Sequence, residues 1–177
     1  MEELIHKIYE DKEFINTISD IIKNVKVQEM KNYRQHYKTS CFDHCLVASY
    51  FCYKFCKKHN LDYISCSRAA MVHDLFLYDW RKRQNGRKGL HAFTHPKTAY
   101  ENANMLFNLN QLEKDIILKH MWPVTPALPK FKESFVLTFV DKRCAINEAI
   151  LEMRKKYYQK HIFKFAYVFL GLLILKI

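Results

Sequence analysis

The sequence predicts an all-α fold, and three observations carry that reading. Apolar residues recur at helical spacing along most of the chain, and no stretch alternates as a half-buried strand does. Only 3 Gly and 4 Pro occur in 177 residues, too few for a turn-rich sandwich or barrel, or for a dinucleotide fold with its glycine loop. Apolar residues make up 49%, which excludes a disordered chain and suffices for one sizeable core.

The elements follow in order. Residues 2–23 read as one helix with Leu4, Ile8, Phe14, Ile15, Ile18 and Ile22 on its apolar side, and residues 24–38 read as irregular. Thr39 or Ser40 caps a helix running to about Asn60, with Asp43 in the first turn where a carboxylate suits the helix dipole. Ser65 or Ser67 starts a helix through Leu77. Residues 80–94 form a loop with five Lys or Arg and two of the three Gly. Pro96 fits the first turn of a helix from about His95 to Asn108. Asn110 caps the next helix, through about His120. Pro123, Pro126 and Pro129 enforce a connector, and residues 131–158 form a last long helix. We expect one domain over 1–158, with its core at about 30–150, and a tail at 159–177.

Lys and Arg number 29 against 18 Asp and Glu, a formal charge of +11. That charge suits nucleic acid, an anionic membrane surface or a phosphorylated substrate, and does not choose among them. Four of the six Cys follow C-x3-C-x6-C-x3-C from Cys41 to Cys56, roughly along one side of a helix. Zinc knuckles would show C-x2-C, so the cysteines read as reduced, buried and small. Met1 to Lys12 carries acids and no apolar run, so no signal peptide is expected and the chain reads as cytoplasmic. Phe165 to Leu175 is 11 residues without a charge, following Arg154, Lys155, Lys156, Lys160 and Lys164. A spanning helix needs about 20. The stretch 162–177 is expected to pack as a helix or to anchor the chain at a membrane surface.

The nine His are the informative count. His44 shares a helical stripe with Val47, Ala48, Phe51 and Phe55. His73 and Asp74 sit within AAMVHDLFL, His120 ends DIILKHMW, and Asp141 lies within FVLTFVDKRCAI. A buried carboxylate without a partner is very costly. Neither aspartate has a Lys or Arg in its own apolar turn, although Lys142 is adjacent. Neutral imidazoles cannot neutralise two carboxylates, whereas a divalent metal can, and imidazole with carboxylate is a standard ligand set.

The order His44, His73-Asp74, Asp141 resembles the HD superfamily of metal-dependent phosphohydrolases. The strings SCFDHCLVASY, AAMVHDLFLYDW and FVDKRCA carry the likeness, and it spans about residues 30–150. FTHPKTAYENA and IILKHMW resemble two further ligand-bearing segments and add His95 and His120. The resemblance implies an HD-domain helical bundle with a central site of two divalent ions (Fe, Mn, Zn, Co or Ni) held by His44, His73, Asp74, His95, His120 and Asp141. Asp74 would bridge them and take part in catalysis. A single ion held by His44, His73, Asp74 and Asp141 is the simpler form. The GYP signature of the cyclic-dinucleotide branch is absent, MWPVTP standing after His120. The implied activity is hydrolysis of a phosphoester (a nucleotide, cyclic nucleotide or other small phosphorylated metabolite) by metal-activated water. The alternatives are an HD-type diiron oxygenase and a non-catalytic module that binds nucleotide or RNA. Arg81, Lys82, Arg83, Arg87, Lys88 and Lys119 are candidates to hold phosphate, and His36 and His91 to contact substrate.

Overall fold

The computed structural model describes residues 2–35, 39–82 and 89–174, with side chains as far as Gln159. Among the described residues there are nine α-helices, one 3-10 turn and no strand. The fold is all-α, as the sequence predicts.

The expected first helix is divided into α1 (Glu2–Glu10), α2 (Lys12–Thr17) and α3 (Ser19–Lys23). Asp11 explains the first break: its carboxylate accepts from the Phe14 amide and starts a new helix, a capping geometry that competes with continuation. The segment expected to be irregular holds α4 (Val25–Gln28) and the 3-10 turn Glu29–Asn32. Asn24 caps α4 by accepting from the Lys26 amide. The breaks let Ile8, Phe14, Ile18, Ile21, Val27 and Met30 all reach the core, which a single straight helix could not arrange.

The central element is α5 (Cys41–Lys58), capped by the Ser40 hydroxyl on the Asp43 amide. It packs against α6 (Tyr63–Val72) and α9 (Lys132–Ile174). Its buried side holds His44, Cys45, Leu46, Val47, Ala48, Ser49 and Cys52. Phe51 and Phe55, expected on the His44 stripe, are instead exposed, because the buried arc of α5 is turned toward α6. All six cysteines are free and buried.

The third helix begins and ends earlier than expected. Asp62, not Ser65 or Ser67, caps α6 by accepting from the Ser65 amide. The helix stops at Val72, so His73 and Asp74 sit in the turn after it. Leu77 adopts φ +53°, which a right-handed helix excludes. The Asn102 amide pins the turn by donating to the Leu75 carbonyl, 2.7 Å. Helix α7 spans His91–Phe107, so His91 to Thr94 are helical rather than loop, and Pro96 lies inside the helix rather than in its first turn. Asn110 caps α8 (Gln111–Lys119) in a reciprocal capping box with Glu113. The last helix does not stop at residue 158. α9 continues to Ile174 through the expected domain boundary, there being no Gly or Pro between Lys132 and Leu170 to end it.

Candidate metal centre

The six residues singled out by sequence come together, and all six are buried. His44 is brought by α5, His73 and Asp74 by the end of α6, and His95 by α7. His120 follows the end of α8, and Asp141 comes from the inward stripe of α9, with Ser134, Leu137, Cys144 and Glu148. Among the described residues, two groups of imidazole and carboxylate are close enough to hold a metal ion: His44, His73 and Asp141, and His73, Asp74 and His120.

Each imidazole is oriented through its Nδ1. His73 Nδ1 lies 2.7 Å from the Ala70 carbonyl and His120 Nδ1 2.8 Å from that of Ile117. These are last-turn carbonyls that lack helical partners. His95 Nδ1 lies 2.8 Å from the His91 carbonyl, and His44 Nδ1 3.0 Å from Glu148 Oε1. A carbonyl or carboxylate only accepts, so each Nδ1 carries its hydrogen. In the neutral ring each Nε2 then presents a lone pair.

Those lone pairs converge on carboxylates. His44 Nε2 is 3.0 Å and His73 Nε2 3.6 Å from Asp141 Oδ1, and His73 Nε2 is 3.4 Å from Asp74 Oδ2. Asp74 Oδ1 faces the other way, 3.2 Å from His95 Nε2 and 3.8 Å from His120 Nε2. These two Nε2 atoms are 2.9 Å apart. Two acceptors so close need a cation or a proton between them. His73 Nε2 and Asp74 Oδ1 have no hydrogen-bond partner although both are buried.

Two buried carboxylates away from the cluster have ordinary partners. Asp115 pairs with Lys119 at 2.6 Å and Glu113 with Arg68 at 3.6 Å. No Lys or Arg nitrogen lies within 4 Å of Asp74 or Asp141 among the described residues. Burial works against ionisation of both aspartates. The imidazoles around them outweigh it and hold both carboxyls below the usual range. Burial likewise opposes charge on His44 and His73. Asp141 and Glu148 raise His44 well above its ordinary range, and Cys45, Asp74 and Asp141 raise His73. Burial and the imidazoles of His95 and His73 push His120 down to about 3. The cluster calls for positive charge, and protons and a metal ion compete to supply it. The donor set fits a divalent metal.

Cys41 and Cys45 also approach Asp74 closely enough to share an ion. Burial raises both thiols above their ordinary range. Cys41 Sγ donates to the Asp74 carbonyl, 3.2 Å. They pack as thiols beside the cluster.

Two partners of the cluster carry no motif of their own. Glu148 is seven residues after Asp141, two helical turns along the same face, and that spacing is the signal that could have found it. Gln35 donates through Nε2 to Asp74 Oδ2, and nothing local in the sequence points to it.

Asp74, His95, His120 and Asp141 of the cluster line a cavity of about 350 Å³. Trp80 and His91 line its wall, their rings stacked at 5.3 Å and 9°. Lys142 is the cation among the described lining residues. Its ammonium donates to the carbonyls of His120 and Thr138, and burial lowers its pKa against the pull of Asp141. Of the expected substrate residues, His91 reaches the cavity. Arg81 pairs with Asp79 at 3.1 Å and Lys119 with Asp115, and neither lines it. Both are drawn to the nearest carboxylate on their own segment. His36, Arg83, Arg87 and Lys88 lie outside the described residues. A larger groove of about 620 Å³ between α5 and α9, lined by Phe55, Phe135 and Phe139, has no carboxylate among its described lining.

Among the described residues, no helix is long and apolar enough to cross a membrane. Compared with protein-family models, with curated proteins and with solved structures, the chain matches none.

Proposed function

We propose that this chain is a metal-dependent phosphohydrolase of the HD type, acting on a small phosphoester such as a nucleotide or cyclic nucleotide. One observation carries the reading: the two oxygens of Asp74 lie toward different imidazole nitrogens, Oδ2 toward His73 and Oδ1 toward His95 and His120. On one side are His73 and, through Asp141, His44. On the other are His95 and His120. That arrangement suits two ions, of which His44, His73, Asp74 and Asp141 would hold the first and Asp74, His95 and His120 the second. Such a pair, when bound, supplies a nucleophilic hydroxide near neutral pH and stabilises the attacking and leaving oxygens of a phosphoester.

The chain's own groups do the rest. The carbonyls of Ala70, His91 and Ile117 and the Glu148 carboxylate hold the imidazoles in one tautomer. Gln35 fixes the Asp74 carboxylate through its Nε2. Lys142 places positive charge on the wall where a phosphate would enter. The aromatic wall of Trp80 and His91 suits a flat group such as a nucleobase. A cavity of about 350 Å³ is at the small end of ligand sites, which favours a small molecule over folded nucleic acid.

The test is metal analysis of protein purified without chelator, joined to a screen of phosphate release from nucleotides and cyclic nucleotides. We expect close to two transition-metal ions per chain and a phosphoester turned over, with Asp74→Asn inactive. A metal-free chain that stays inactive after Fe, Mn, Co, Ni or Zn is added would overturn the proposal. Oxygen uptake with an organic substrate, and no phosphate release, would assign an oxygenase instead.

A further inference from the structure

We infer that the outer half of α9 binds the surface of an anionic lipid bilayer. Such binding does not depend on the activity of the metal centre.

The inner half of α9 is a bundle helix. Ser134, Leu137, Asp141, Cys144 and Glu148 are buried at spacings of three and four residues, the period of a helix with one face in a core. That pattern stops after Glu148. Leu151, Met153, Tyr157 and Tyr158 are all exposed, the two tyrosines by 62% and 65%. The backbone remains helical to Ile174, so the segment from Leu151 covers about 36 Å.

Its composition is not that of a helix meant for water. No Asp or Glu occurs from Met153 onward, while Arg154, Lys155, Lys156, Lys160 and Lys164 occur within eleven residues. Tyrosines and phenylalanines are interleaved with them. Phe165 to Leu175 then carries no charged residue at any position, so no face of that run is polar. A two-stranded coiled coil needs an apolar seam with polar outer positions, and a helix apolar all round belongs in a core or in lipid. Cations and aromatics beside an apolar run match the headgroup layer next to the acyl chains. Charge complementarity therefore selects anionic lipid as the occupant. Along the helix the apolar run begins about 25 Å beyond Glu148.

Flotation of the full chain with lipid vesicles tests this, because aggregates do not float. The chain should float with phosphatidylcholine vesicles containing phosphatidylserine, and much less with phosphatidylcholine alone. Arg154→Ala with Lys155→Ala should weaken binding by roughly an order of magnitude, and Val168→Asp with Leu172→Asp should abolish it. A Leu172→Trp chain gives a readout that needs no loss of binding: its emission should shift to the blue with anionic vesicles and be quenched by brominated lipid. Three results would overturn the inference. These are no flotation with either vesicle, equal flotation with both, or a lipid-independent dimer that Val168→Asp with Leu172→Asp dissociates, which would make a second copy the occupant.

Discussion

The two halves of the His and Asp cluster are both built on a pair of imidazoles and differ in what stands behind the rings. His44 and His73 meet Asp141 and one oxygen of Asp74, and a third carboxylate, Glu148, backs His44. His95 and His120 meet a single oxygen of Asp74, and backbone carbonyls back both rings. The first half concentrates negative charge in a buried site, where it acts strongly on a cation. The second is built mainly of neutral donors. On the two-ion reading the first half holds its metal tightly, and the second loads later and loses its ion first.

The largest effect should come from the residue the halves share. Asp74→Asn should remove both ions and lower turnover by more than about 100-fold, the usual ceiling for an outer partner of a metal ligand. Metal analysis and phosphate release check it. Chelation should lower the folded state's stability by about 4 kcal/mol relative to metal at a thousandfold excess over Kd. That is a melting shift on the order of 10 °C, measured by calorimetry with and without added metal.

His120→Ala separates the halves, since it should remove one ion and leave the other. Loss of both ions on titration with a weak chelator would show that the halves load together as one site. Glu148→Gln keeps the shape and removes the charge behind His44. It should weaken the first ion by 10- to 100-fold and leave the second unchanged, read by metal titration. Arg81→Ala and Lys119→Ala should leave kcat/KM within about twofold, because each cation is committed to a neighbouring carboxylate. Lys119→Ala should cost about 1 kcal/mol of stability, and a large rise in KM would place Lys119 on the substrate.

The sequence was most informative where chemistry and period coincide. His44, His73, Asp74, His120 and Asp141 were legible as polar groups on apolar stretches and His95 through the resemblance to the HD pattern, and the structure buries all six. Helix ends were less legible. Whether Asp11 caps a new helix or stays mid-helix depends on where the Phe14 ring is buried, and α6 ends at Val72 because Asn102, from a distant helix, holds the turn. The partners of Arg81 and Lys119 were not legible. A cation's place depends on the nearest carboxylate in space, and Asp79 and Asp115 claimed Arg81 and Lys119.

By itself the sequence determined an all-α chain with few turns, a set of buried imidazoles and carboxylates needing a cation, and a basic stretch leading into an apolar one. Local period and residue chemistry suffice for those. The tertiary structure alone decided that Asp74 faces two ways, that Glu148 stands behind His44 across 104 residues of chain, that Gln35 holds Asp74 and that Lys142 lines the cavity. It also decided that α9 runs unbroken from the cluster into the apolar stretch. Such contacts join segments far apart in the chain, and only the packing of helices against one another sets their distances.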